Sequence, residues 1–138
     1  MNTIQRNICA AARAFVAFIF LANGLGIIPQ TIPARELAEH GTPEALVPLL
    51  MMAGRTIETV GGFGLILGIY PRIAAIALIA FLVPATLVAH DFWDVAGTPA
   101  YFPQLLQFLK NAAMTGGLLF IMTTQSQPTL FPRGGSQE

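Results

Sequence analysis

Arg55 and Glu58 stand three residues apart in GRTIETVGGFGLILG, residues 54–68, with long apolar runs on both sides. Lys110 and Asn111 sit together in QFLKNAAMTGGLLF with Gln107 one turn earlier, His90 precedes Asp91, and Asn23 lies late in the first apolar run. These groups can hold a carbonyl oxygen and move a proton. Amide, ammonium and guanidinium N–H groups donate to an oxygen, while a carboxyl or imidazole exchanges the proton that accompanies reduction. Glu58 and His90 are therefore the candidate catalytic groups, and Arg55, Lys110, Asn111, Asn23 and Gln107 the candidate ligand-binding groups. A metal site is not expected, because His40 and His90 are the only histidines and no CxxC or HxxxH spacing occurs. Walker, GxSxG and haem-attachment motifs are absent, and no flavin motif is found. GGFGLILG mimics a nucleotide-binding glycine pattern but lies in an apolar run, not after a strand.

The elements that position these groups follow from the solvent. Of 138 residues, 54% are hydrophobic and only 10% charged, with a mean hydropathy of +0.65. A soluble domain carries about a quarter charged residues, so these few cannot cover a water-facing globule of this size. One integral membrane domain is the economical reading. The formal net charge is zero, so no basic patch points to nucleic acid. The single cysteine, Cys9, rules out an internal disulfide or a dithiol pair and reads as a small apolar residue.

Four stretches approach the roughly 20 apolar residues needed to cross a bilayer: 8–28, 46–70, 73–89 and 105–124. Without the alternation of a β-barrel, the expected fold is all-α, an integral membrane four-helix bundle over residues 1–124 with a polar tail at 125–138. The first run is longer than a signal-peptide core and is followed by no clear A-x-A site, so it reads as a retained helix. ARELAEH, bracketed by PQTIP and HGTPEA, reads as a short interfacial helix in the first outer loop with Gly41 as its stop. IYPR is a tight turn, and HDFWDVAGTPAYFP a longer aromatic loop in which Trp93 serves as a membrane-interface anchor. Arg6, Arg13, Arg72 and Arg133 fall on one side, and acids dominate the first and third loops, so both termini are expected to be cytoplasmic. Arg13 then has a topological role. Gly64/Gly68, Ala112/Gly116 and Ala113/Gly117 are spaced for close helix contact, and Pro84 interrupts the third span.

Helix rise converts these spans into depths. Arg55 falls about 14 Å and Glu58 about 18 Å into the second span, and Lys110 about 8–9 Å into the fourth, with Asn23 equally far from the end of the first. Asn23, Arg55, His90, Gln107, Lys110 and Asn111 thus belong to the outer half of the membrane, with Glu58 near the midplane. A charge at mid-bilayer costs about 2.5–3.5 kcal/mol on insertion scales, so these must face the bundle interior. Two arrangements satisfy that: an ion network of Arg55, Glu58 and Lys110 that fixes helix register, or an outward-opening polar pocket for a small polar or quinone-like ligand. Two cations against one carboxylate would favour an anionic group or a polarised carbonyl. His90 beside Asp91 could relay a proton or simply hydrogen-bond a loop.

The run from RTIETVGG through LVAHDFW, followed by QFLKNAAMTGGLLF, resembles the DoxX family of small four-helix bacterial membrane proteins. The matching features are Glu58, Gly61–Gly62, Leu67–Gly68, Arg72, Ala75, His90, Phe92–Trp93, Lys110–Asn111 and Gly116–Gly117. Arg13, Phe20 and Gly24 match more loosely, and the resemblance covers residues 8 to 123. Where the family often has a lysine near the end of the first helix, this chain has Ile27. The resemblance implies a multi-pass protein of the bacterial inner membrane linked to redox chemistry, with Glu58, His90, Lys110 and Asn111 as family-like polar residues. Related proteins include the small subunit type associated with thiosulfate:quinone oxidoreduction and others placed beside oxidative-stress partners.

Three functions are compatible with these readings. The first is a quinone-interacting oxidoreductase or a subunit of a membrane redox complex, drawing electrons from a redox partner because the chain has no dithiol, flavin or haem ligands of its own. The second is a scaffold or assembly factor whose outer loops dock a soluble redox partner. The third, a small-molecule carrier, would need a homo-oligomer, since four helices without an inverted repeat leave little room for alternating access.

Overall fold

The computed structural model describes residues 3–29 and 31–124, so the polar tail from 125 lies outside the described residues. Five helices follow one another: α1 (Thr3–Gly24), α2 (Thr31–Glu39), α3 (Val47–Leu67), α4 (Pro71–Ala89) and α5 (Tyr101–Thr124). No strand occurs among the described residues. α1, α3, α4 and α5 are long and apolar enough to cross a membrane. Their outer faces carry large bare side chains such as Phe15 (83% exposed) and Phe18 (74%), which suit lipid contact but not water.

Local chemistry sets the helix ends. Gly41, at φ +79°, follows α2, and the Thr42 N–H returns to the Leu37 carbonyl at 3.1 Å. At the α3–α4 turn, Gly68 is left-handed and the Ile69 N–H reaches the Gly64 carbonyl at 3.0 Å. Pro71 then opens α4, where its missing N–H costs nothing.

The first span differs from its expected bounds. α1 begins at Thr3 and stops at Gly24, where the chain turns through Gly26 at φ +76° although Leu25, Ile27 and Ile28 are apolar. Gly24 lies against Arg55 and Thr59, roughly 12 Å inside α3 by helix rise. α1 therefore ends well short of the start of α3; the N–H groups of the following turn fill the Leu21, Ala22 and Asn23 carbonyls, and the Gly24 carbonyl needs a donor from elsewhere in the bundle. Arg55 supplies one: its Nε donates to the Gly24 carbonyl at 3.2 Å. Two other arginines cap the opposite ends of neighbours, Arg13 donating to the Leu65 carbonyl at 2.9 Å and Arg72 to the Met122 carbonyl at 2.7 Å. Arg13, expected to act through topology, thus makes a structural contact.

α1 packs on α3, α3 on α4 and α4 on α5, while α1 and α5 meet only lightly. Glycine makes the close approaches. A Cβ on Gly61 would lie 2.7 Å from Leu78, one on Gly62 2.7 Å from Leu21, and one on Gly54 2.9 Å from Phe81. The expected Ala112/Gly116 contact does not form; nothing lies within 4 Å of a Cβ at Gly116, and Gly117 alone approaches Val16. The filled core of Ala17, Leu65, Ala75, Leu78, Leu118 and Ile121 occupies the half of the bundle nearest the α3–α4 turn. The other half, above the end of α1, is hollow.

Candidate functional site

That hollow half is a cavity of about 940 Å³, within the range of ligand sites. α1, α3, α4 and α5 wall it, and Pro33, Glu36 and Leu37 of α2 close its loop end. Every one of the seven candidates lines it: Asn23, Arg55, Glu58, His90, Gln107, Lys110 and Asn111. Helix rise brought them to one level because the helices are antiparallel neighbours, even though two of the assumed helix ends were misplaced. α5 starts at Tyr101, not 105, so Lys110 is roughly 13 Å in.

The charges do not form the mutual network that was one of the two expected arrangements. Glu58, 6% exposed, accepts from Asn23 Nδ2 at 3.2 Å. Arg55 turns to the end of α1, and Lys110 Nζ donates to Gln107 Oε1 at 2.6 Å. Asn111, also buried, donates to Thr86 Oγ1 at 3.0 Å, and Thr86 in turn donates to the Leu82 carbonyl at 2.6 Å. Gly62 serves helix contact with Leu21 and leaves no ligand space of its own.

His90 is likewise re-partnered. Its Nδ1 lies 2.9 Å from Gln104 Oε1, whereas Asp91 Oδ2 lies 3.4 Å from His40 Nε2. An amide oxygen only accepts, so in this orientation His90 Nδ1 carries a proton and donates it. Gln104 also hydrogen-bonds the Glu36 carboxylate. Burial pushes the Glu36 carboxyl above the usual carboxylate range; the His90 charge, the Gln104 bond and His40 hold it back.

Glu36, Gln104 and Thr86 are the polar wall and support that sequence reasoning did not single out. Helical spacing carried a signal for two of them. Thr86 is four residues before His90, and Gln104 is three before Gln107. Glu36 carried none, since an acid on a short loop helix reads as solvated. Its presence changes the charge balance to two cations, Arg55 and Lys110, against two carboxylates, Glu58 and Glu36. The wall is therefore mixed, with acidic groups beside both cations. Among the described residues no group of three metal-ligating side chains assembles.

At the loop end, Phe92 stacks edge-to-face on Trp93 (5.0 Å), Phe108 (5.2 Å) and Tyr101 (6.0 Å). This cluster ties the α4–α5 loop to α5 beside His90.

Comparison with known proteins agrees with this architecture. A similar protein is the inner membrane protein YphA of Escherichia coli (strain K12), 24% identical over 117 residues, covering 82% of this chain and 79% of that protein. No solved structure matches the chain significantly. The four apolar helices and this relative make the chain a multi-pass inner-membrane protein. A model of the DoxX family matches residues 8–91, a range that holds Glu58 and His90 but stops short of Lys110 and Asn111. With more than half of its length matched in this way, the chain belongs to the DoxX family.

Proposed function

We propose that this protein is a quinone-interacting oxidoreductase or the quinone-binding subunit of a membrane redox complex, with the cavity as its site. The observation that carries the reading is the convergence of Asn23, Arg55, Glu58, His90, Gln107, Lys110 and Asn111, from separate helices, on one cavity of about 940 Å³. The mixed donors and acceptors of the wall support a head group with polar oxygens. Lys110 retains two further N–H donors beside the one given to Gln107, enough to hold a carbonyl oxygen. Reduction of a quinone to a quinol takes two electrons and two protons. The electrons come from a protein redox partner, and His90 or Glu58 passes protons to the oxygens. Both termini are cytoplasmic in this reading, which puts the cavity in the outer half of the membrane.

The test is thermal stability in detergent of the wild type, Glu58→Gln and Lys110→Met, each with and without a short-chain quinone. Stabilisation of the wild type that disappears in both variants is the expected result. No saturable quinone effect on the wild type would sink the reading.

One observation favours a second reading, a scaffold that docks a soluble partner. Trp93 remains 46% exposed on the aromatic cluster of the α4–α5 loop. In that case, partner capture survives both substitutions and is lost on Trp93→Ser.

A further inference from the structure

We infer that the cavity is loaded sideways from the bilayer through the seam between α1 and α5, so that its ligand is a membrane-dissolved amphiphile with a polar head and an apolar tail. This rests on the reading of the cavity as a ligand site and adds to it the class of molecule and its route.

The helix ring is closed on three sides and weakest on the fourth, between α1 and α5. Their approach is at Gly117, where a Cβ would lie 3.3 Å from Val16, on the side of the filled core. Towards the loop end α1 stops at Gly24 while α5 continues to Tyr101. Both lips of the seam are cavity wall in this region: Ile19 and Asn23 on α1, Lys110 and Met114 on α5.

The chemistry of the lips is graded. Ile19 and Met114 offer apolar surface next to the filled core, while Asn23, bonded to Glu58, and Lys110, bonded to Gln107, stand one turn nearer the loop end. A lysine that faced hydrocarbon at this depth would carry the cost of about 2.5–3.5 kcal/mol found for a central charge, whereas one turned to a polar hollow avoids it. A head group inside therefore meets hydrogen-bonding side chains, and a tail leaving between Ile19 and Met114 meets apolar ones.

The water side is the more obstructed route. α2 lies over the loop end of the cavity through Pro33, Glu36 and Leu37, and the Glu36–Gln104 hydrogen bond fastens it to α5. A polar metabolite would have to displace that helix. An amphiphile already in the bilayer would not.

Two measurements on the full-length protein test the route. In a Cys9→Ser background in liposomes, a spin label on Met114→Cys is expected to collide more with oxygen, which concentrates in the bilayer, than with a water-soluble nickel chelate. Ile19→Cys on the opposite lip should behave alike, and Ala96→Cys in the α4–α5 loop should show the reverse. In the second arm, Met114→Trp narrows the seam and is read with two benzoquinones of the same head, one without a tail and one with a ten-carbon tail. The tailed compound should lose about tenfold or more in affinity while the tail-less one changes by less than about twofold. Labels at both lips that the nickel chelate reaches better than oxygen, or a Met114→Trp effect equal for both quinones, would overturn the lateral route. If neither quinone binds the wild type, the quinone reading fails, and the oxygen-to-chelate ratio still decides whether the cavity opens to lipid.

Discussion

Gly24→Ala places one methyl group at the point where α1 ends against α3. The new Cβ would run into Thr59 Oγ1 and would lie 2.8 Å from the Thr59 backbone nitrogen and 3.0 Å from the Arg55 carbonyl oxygen. The hydroxyl can rotate away; the two backbone atoms cannot, so α1 and α3 must separate by several tenths of an ångström. The hydrogen bonds beside the contact, Arg55 to the Gly24 carbonyl and Asn23 to Glu58, are both already 3.2 Å long, at the outer edge of good geometry. Overpacking of this kind costs about 1–3 kcal/mol. Losing a hydrogen bond from a charged donor costs about 1.5–3 kcal/mol. Replacing glycine in a helix returns at most about 1 kcal/mol. Because the first two overlap, the expected net loss is about 2–3 kcal/mol. Thermal unfolding in detergent measures it, with Gly116→Ala as the control because that Cβ meets nothing within 4 Å. The control should match or exceed the wild type. Adding Thr59→Ala should rescue Gly24→Ala only in part, since the backbone nitrogen stays. A Gly24→Ala protein as stable as the wild type, or a Gly116→Ala protein that falls equally, would refute the argument.

Two further outcomes follow from the cavity wall. In a double-mutant cycle of Asn111→Leu and Thr86→Val, the coupling should be about 0.6 kcal/mol with a ceiling near 1.7, the range for hydrogen bonds between membrane helices, and strict additivity would deny the bond. The second concerns pH. Burial raises the Glu36 pKa above its unfolded value, so the folded protein holds that proton more tightly and stability is lost as pH rises through the carboxylate range. The wild type should therefore gain stability relative to Glu36→Gln as pH falls through the carboxylate range to the ordinary value of 4.5, as read by paired melting curves. A difference that stays flat over that window would place Glu36 in free solvent.

Some of the site was legible because helices are regular. Once four apolar runs were taken as spans, a rise of about 1.5 Å per residue brought Asn23, Arg55, Glu58, Lys110 and Asn111 to one level without any knowledge of contacts. Partners were not legible in this way. The neighbour of His90 in sequence is Asp91, but a helix end fans adjacent side chains apart, and Gln104 of another helix takes the imidazole. Arg55 and Glu58 share a helix face one turn apart, which made an ion network one of the two expected arrangements. The Gly24 carbonyl at the end of α1 takes the guanidinium instead.

What the sequence determined by itself is the class of fold and the polarity of its two halves. The bilayer accepts only helices or closed barrels, so hydropathy and run length dictate four spans, and each intramembrane polar residue must turn inward. Tertiary structure decided how the end of α1 is completed. Leu25, Ile27 and Ile28 are as apolar as the helix before them, and the stop depends on the left-handed Gly26 and on an arginine from α3. That early stop opens the cavity, lets α2 bring Glu36 to its wall, and so settles the charge of the site. Gly26 marks the stop in the local sequence, and the turn's own N–H groups fill the Leu21, Ala22 and Asn23 carbonyls; what local sequence could not show is that Arg55 of a different helix takes the Gly24 carbonyl.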